Sequence, residues 1–181
     1  PVETGDVARR ELQDDARVQV LDAATALELR PTGGLQPRGL VFFCGSGVGA
    51  EAYVPLLRPL AEAGHRVLIV RLPWRFAPLD SHRDEAIARA LTLMAAHADT
   101  TAWVAAGHSL GGAIAARWMP AAPASVKGLV LVGTTHPKSH DLSGLALPVT
   151  KVYADHDEVA AIERVLANKA LLPAGTEWLE I

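Results

Sequence analysis

Cysteine is all but missing from this chain: Cys44 is the only one, so no internal disulfide can form. Neither a C-x-x-C nor an H-E-x-x-H spacing is present, and nothing in the sequence calls for a metal or another cofactor. No stretch gathers Lys and Arg, and 17 basic against 20 acidic residues leave a net charge of −3, so nucleic acid is not an expected partner. No run of about eighteen apolar residues exists to cross a membrane. The opening, Pro1 to Asp6, is neither a signal peptide nor an initiator methionine, so a soluble, processed or trimmed product is expected. Internal repeats are lacking, and the only composition bias is toward alanine. What the chain does have is apolar side chain: 50% of its 181 residues are hydrophobic and 20% charged, enough to bury one substantial core.

Residues 1–16 are polar, carry no sustained apolar period, and read as a mobile, partly helical lead-in. A single domain is expected over residues 17–181. It opens with two short β-rich segments, Val18 to Leu21 and Ala26 to Leu29, expected to form an antiparallel pair at a sheet edge. Beyond Pro37, strand and helix patterns alternate with short joints, which predicts an α/β fold with a mainly parallel, twisted sheet covered by helices on both faces. The further strands are Leu40 to Cys44, Arg66 to Arg71, Thr101 to Gly107, Val126 to Gly133, Val149 to Ala154 and Glu177 to Ile181. Apolar stripes at helical spacing are Tyr53, Leu57 and Leu60; Ile87, Leu91 and Met94; and Val159, Ile162 and Val165. Leu110 to Met119 lacks a polar face and should be the most buried helix, stopped by Pro120.

The strand ending at Gly107 runs into His108-Ser109-Leu110-Gly111-Gly112 and then a helix, which is G-x-S-x-G in the strand, sharp turn, helix setting that this motif requires. Gly107 and Gly111 have a steric purpose, because strand and helix nearly touch where the turn lifts Oγ of Ser109 clear of the sheet. Leu110 opens the new helix, so its N–H and the positive end of the helix dipole face the place where an oxyanion would form. A second amide should come from the loop after the strand LVFFC, with Ser46 the first candidate. The same loop, Gly45-Ser46-Gly47 with Ala50 beyond, also fits the dinucleotide fingerprint G-x-G-x-x-A. Against that stand the preceding strand pair, Arg71 where an acidic ribose ligand would end the next strand, and the serine turn, which a cofactor fold does not explain.

An acid should follow a later strand, and Asp157 after VTKVYA is the better placed of Asp155 and Asp157; its alternative role is to cap the helix beginning at Val159. No histidine follows Asp157. A general base is therefore expected after Ile181, beyond this sequence, or else this form lacks one. His108 and His156 adjoin the serine and the acid, but side chains adjacent along a tight turn diverge. His136, in the loop after the strand VKGLVLVG, falls on the same sheet edge and joins Gly45, Gly47, Trp74, Phe76 and His108 as a candidate pocket residue. Trp74 and Phe76 read either as an apolar wall or as simple packing over helix ends.

From about Gly39 to Ile181 the chain resembles the α/β-hydrolases, on FFCGSGVGAEAYVPLLRPLAEAGHRVLIV, GHSLGGAIAARW, GLVLVGT and LPVTKVYADHDEVA. Within them it is similar to a small bacterial branch of dienelactone-hydrolase-like and simple carboxylesterase domains. The resemblance implies a serine hydrolase of small acyl esters or thioesters, with Ser109 as nucleophile, Asp157 as acid and the amides of Leu110 and Ser46 as oxyanion hole. It also implies a base on a Gly-Gly-Asn-His-like loop after the last strand. Only residues 134–148 stand where larger relatives insert a lid, so no cap domain is expected. Similar proteins often carry a membrane-anchoring helix before a polar lead-in, which implies an extracytoplasmic, anchored setting; a cytoplasmic one is the alternative, and composition does not separate them. A non-catalytic binding domain that keeps the fold is the rival from a different class.

Overall fold

The eight segments with strand character all join one sheet. The computed structural model describes residues 9–181. Its strands are β1 (Val18–Asp22), β2 (Ala26–Pro31), β3 (Arg38–Phe43), β4 (Val67–Val70), β5 (Ala102–His108), β6 (Val126–Val132), β7 (Val149–Tyr153) and β8 (Glu177–Glu180). Their order is β1-β2-β4-β3-β5-β6-β7-β8. β1 pairs antiparallel with β2, and β2 antiparallel with β4. Every other neighbouring pair is parallel. The four residues of β4 and the last five of β3 are buried, as strands covered on both faces must be.

The helices are α1 (Val54–Glu62), α2 (Asp80–Ala95), α3 (Leu110–Trp118) and α4 (Ile162–Ala167). α1 lies against β1, β2 and β4, whereas α3 lies against β3, β5 and β6 and touches α2. α3 buries six of its nine residues, consistent with its lack of a polar face. No helix among the described residues is long and apolar enough to cross a membrane, and residues 133–148 insert no cap between β6 and β7.

The apolar stripes were only half informative about what is buried. In α2 the buried residues are Ala86, Ala90 and Met94, while Leu91 is 40% exposed. Small side chains at i and i+4 let this helix sit close to the sheet, and the leucine is displaced to the flank. Leu60 of α1 is likewise 40% exposed. Val159 is 78% exposed and α4 begins only at Ile162. The carboxylate of Asp157 takes the amides of Val159 and Ala160 at 2.8 Å each, and so turns the chain before a helix can start.

Of the expected lead-in, residues 1–8 lie outside the described residues; from Arg9 on the chain lies against the body of the domain. Arg9–Leu12 is a 3₁₀ turn, and Leu12 packs on the core. Arg58 of α1, only 4% exposed, needs partners for its guanidinium. It finds the carbonyl of Glu11 at 2.7 Å, the carboxylate of Asp15 at 2.9 Å and that of Glu62 at 3.6 Å.

The β3–β5 boundary is where the strand order reverses, with β4 on one side of β3 and β5 on the other. Open α/β sheets expose a crevice at the carboxyl ends of the strands at such a switch point. Here it falls between the loop after Phe43 and the turn at Ser109.

Arg58→Ala removes the group that ties residues 9–16 to α1. It should cost about 2 kcal/mol of stability and open the bonds after Arg10 and Arg17 to trypsin, read by urea melts and by mass mapping of limited digests.

Candidate active site

Ser109 joins β5 to α3 at φ 52°, ψ −117°, a conformation that non-glycine residues avoid and that costs about 1–3 kcal/mol. Its own amide donates to the carbonyl of Val132 at 3.0 Å, which ties the turn to the end of β6. The two glycines of the motif permit it. A Cβ on Gly107 would stand 2.2 Å from the carbonyl carbon of Gly111, and one on Gly111 would stand 2.0 Å from the carbonyl oxygen of Phe43. Strand, helix and the end of β3 therefore meet backbone to backbone. Leu110 is the first residue of α3, where an amide has no intrahelical acceptor. Ser109 and Leu110 line a cavity of about 220 Å³ with Gly133, Thr134, Thr135, His136, Val159 and Ala160.

The loop after β3 is held by its own amides. Gly45 N–H donates to Tyr53 Oη at 2.8 Å, Gly47 N–H to the carbonyl of Arg75 at 2.8 Å, and Val48 N–H to the carbonyl of Gly45 at 3.2 Å. Among the described residues no acceptor takes the amide of Ser46, and Ser46 is exposed. Gly47 has φ 74°, and a Cβ there would lie 3.1 Å from the ring of Phe76.

Phe76 thus sits on the loop. Trp74 is 78% exposed and lines a separate cavity of about 440 Å³ with Val48, Gly49, Arg71, Arg75 and Arg89 among its walls. Trp74, Arg75 and Ala77 all have positive φ, a strain that nothing in their residue types announces. Arg71 is engaged by Asp22 at 2.6 Å and by Glu51.

Asp157 stands beside Gly133: a Cβ on that glycine would be 3.7 Å from Oδ2, while Oδ1 holds the two amides already described. It does not cap α4, whose N-cap is Ala161. Asp155 and His156 are exposed and face each other at 3.5 Å. Among the described residues no three His, Cys, Asp or Glu side chains gather as metal ligands would.

Of the candidate pocket residues, His136 shares the cavity with Ser109, and the other five lie outside its lining. Burial, reinforced by the nearby positive charges of Lys138, Lys151 and Arg83, brings His136 down to about 4. His108 turns toward Tyr53, with Nδ1 2.9 Å from Oη. Burial lowers its pKa too, against the pull of Asp157.

Sequence reasoning passed over Tyr53, Thr134, Thr135 and Lys151. Tyr53 reads as one more member of an apolar stripe. Lys151 could have been found, since a lysine inside VTKVY is out of place in a buried strand. It is 1% exposed, donates to the carbonyl of His136, and is lowered by burial to about 7.

A model of the alpha/beta hydrolase family matches residues 39–181. No curated protein matches the chain. Among solved structures it is similar to an alpha-beta serine hydrolase homologue from Coxiella burnetii, at 19% identity and TM-score 0.66, covering 93% of this chain and 88% of that one. It is also similar to a predicted CIB-like hydrolase from Thermoplasma acidophilum, at 15% identity and TM-score 0.70, covering 91% and 86%. The esterase domain of a Rhodothermus marinus protein matches at 15% identity and TM-score 0.67, covering 91% and 87%. At these identities the likeness is one of fold.

Two outcomes follow from this geometry. Gly111→Ala forces its methyl into the Phe43 carbonyl and should cost more than about 4 kcal/mol, seen as loss of soluble protein or of a cooperative melt. The folded Lys151 titrates near 7 and the unfolded one near 10.5, so between these values the unfolded chain binds the extra proton. This group's contribution to stability therefore rises with pH across that window and is flat below it. Lys151→Met should gain most over the wild type at the low end of the window and least at the high end, compared by urea midpoints.

Proposed function

The chain belongs to the alpha/beta hydrolase family, and from that premise we propose that it is a serine hydrolase cleaving carboxylic esters or thioesters of small acyl compounds through an acyl-enzyme on Ser109. Oγ of Ser109 attacks the carbonyl carbon while a histidine, expected after the last strand, accepts its proton and Asp157 orients that histidine. The carbonyl oxygen becomes an oxyanion held by the amides of Leu110 and Ser46. The tetrahedral adduct then collapses, the bond to the leaving oxygen or sulfur breaks, and the histidine returns the proton to the leaving group. Water repeats the sequence on the acyl-enzyme and frees the acid and Ser109.

The observation that carries this reading is the backbone of Ser109, at φ 52°, ψ −117°, between a strand end and a helix start. A turn that spends backbone strain on holding a serine at a strand-to-helix junction is what a presented nucleophile requires. The free amides at Leu110 and Ser46 support it. His136 shares the cavity, but at a pKa of about 4 it is too weakly basic to be a good proton acceptor, and it is assigned to the acyl wall. The cavity of about 220 Å³, walled by Thr134, Thr135 and Ala160, suits a short acyl group. Phe76, whose ring lies against Gly47, supplies an apolar edge beside the oxyanion loop, whereas Trp74 lines the separate cavity. The partner is a small molecule, with no cofactor needed.

Treatment with a fluorophosphonate should add one adduct to the intact mass, absent in Ser109→Ala, and p-nitrophenyl acetate should be cleaved faster than the palmitate ester. An adduct that survives in Ser109→Ala refutes the assignment, and a wild type that takes no adduct turns the reading to a non-catalytic binding domain.

A further inference from the structure

We propose that Tyr53 and His108 are positioning residues that hold the Gly45–Gly47 loop in register with Ser109, so that the Ser46 amide is aimed at the oxyanion. The proposal rests on the serine hydrolase reading above.

Gly45 and Gly47 have no side chains to hold the loop, so its place is set largely by what its backbone groups bind. Gly45 N–H donates to Tyr53 Oη at 2.8 Å, and Oη lies 2.9 Å from Nδ1 of His108. A phenol that accepts from an amide has its one hydrogen free to donate, and Nδ1 is the acceptor within reach. The ring then carries its hydrogen on Nε2, on the side facing Gly133 and Asp157. Burial keeps the phenol protonated and the imidazole neutral, so the chain of bonds persists through the neutral range.

The imidazole is clamped. A Cβ on Gly45 would stand 2.7 Å from Nδ1, and one on Gly133 would stand 3.2 Å from Cδ2. The ring therefore fills the gap between the ends of β3 and β6, while its backbone directly precedes Ser109. Tyr53 is anchored by its ring, 7% exposed and 4.8 Å from that of Phe42. A phenylalanine would pack there equally well, so the hydroxyl serves only Gly45 and His108. Serine and loop are thereby joined through one rigid ring and one hydroxyl, and the spacing between nucleophile and Ser46 N–H is set by bonds made away from the substrate.

The test compares Tyr53→Phe, His108→Leu and His108→Asn with the wild type and Ser109→Ala. The readouts are p-nitrophenyl acetate hydrolysis and the second-order rate of fluorophosphonate labelling. An interaction needed only when the oxyanion forms lowers kcat and leaves KM in place. Tyr53→Phe and His108→Leu should each lose about 10- to 100-fold in kcat and labelling rate, less than loss of an oxyanion donor itself. His108→Asn keeps an acceptor beside the phenol and should recover most of that loss; this pair decides the matter even if Tyr53→Phe folds poorly. Tyr53→Phe and His108→Leu within about twofold of wild type, or an asparagine no better than leucine, would overturn the proposal while leaving the serine assignment intact. A wild type that takes no adduct, or Ser109→Ala labelling like the wild type, would instead remove the hydrolase reading and this one with it.

Discussion

At Gly107 and Gly111 the end of β5, the start of α3 and the carbonyl of Phe43 approach more closely than any side chain would allow. That backbone contact is the constraint on which the rest of the candidate site depends. It sets the turn so sharply that Ser109 must adopt a positive φ. It also brings the carbonyls of Phe43 and Cys44, where the loop after β3 begins, against the first turn of α3. The cost of the strained serine, about 1–3 kcal/mol, is met by the buried core that surrounds it on both faces of the sheet.

Around this contact the molecule divides its polar groups by task. Arg58 and Arg66 are buried in ion-pair networks that fasten connecting segments to the core: Arg66 ties β4 to Glu28 of β2 and to Asp99 before β5. Such pairs contribute mainly by forbidding other arrangements, since the desolvation of a buried guanidinium offsets much of its attraction. The polar groups near Ser109 follow another rule. Tyr53, His108 and His136 are kept uncharged by burial, and the hydrogen bonds of Tyr53 and His108 hold backbone in place without adding a competing charge to the crevice.

Lys151 stands apart from both groups. It is a buried amine whose one described acceptor is the carbonyl of His136, so it supports the loop behind the cavity at the expense of a charge held out of water. Its position under that loop links stability to pH close to the region where the chemistry is proposed.

The sequence by itself determined the strands, the antiparallel pair at the edge, the parallel sheet and the family, because each rests on local pattern: apolar runs too short for helices, breakers between them, and a glycine–serine turn with one steric solution. It also put Ser46, Ser109, Leu110 and Asp157 just beyond the carboxyl ends of β3, β5 and β7. Tertiary structure decided what local pattern cannot encode. Only the fold shows that alanines, not Leu91, face the sheet from α2, that Asp157 delays α4 to Ile162, and that Arg58 docks the lead-in. Only the fold brings Tyr53 to Gly45 and His108, a contact spanning 55 residues between the two side chains. A hydroxyl on an apolar stripe looks like any other core tyrosine until its neighbours are known, because hydrogen-bond partners far apart in the chain leave no periodicity to read.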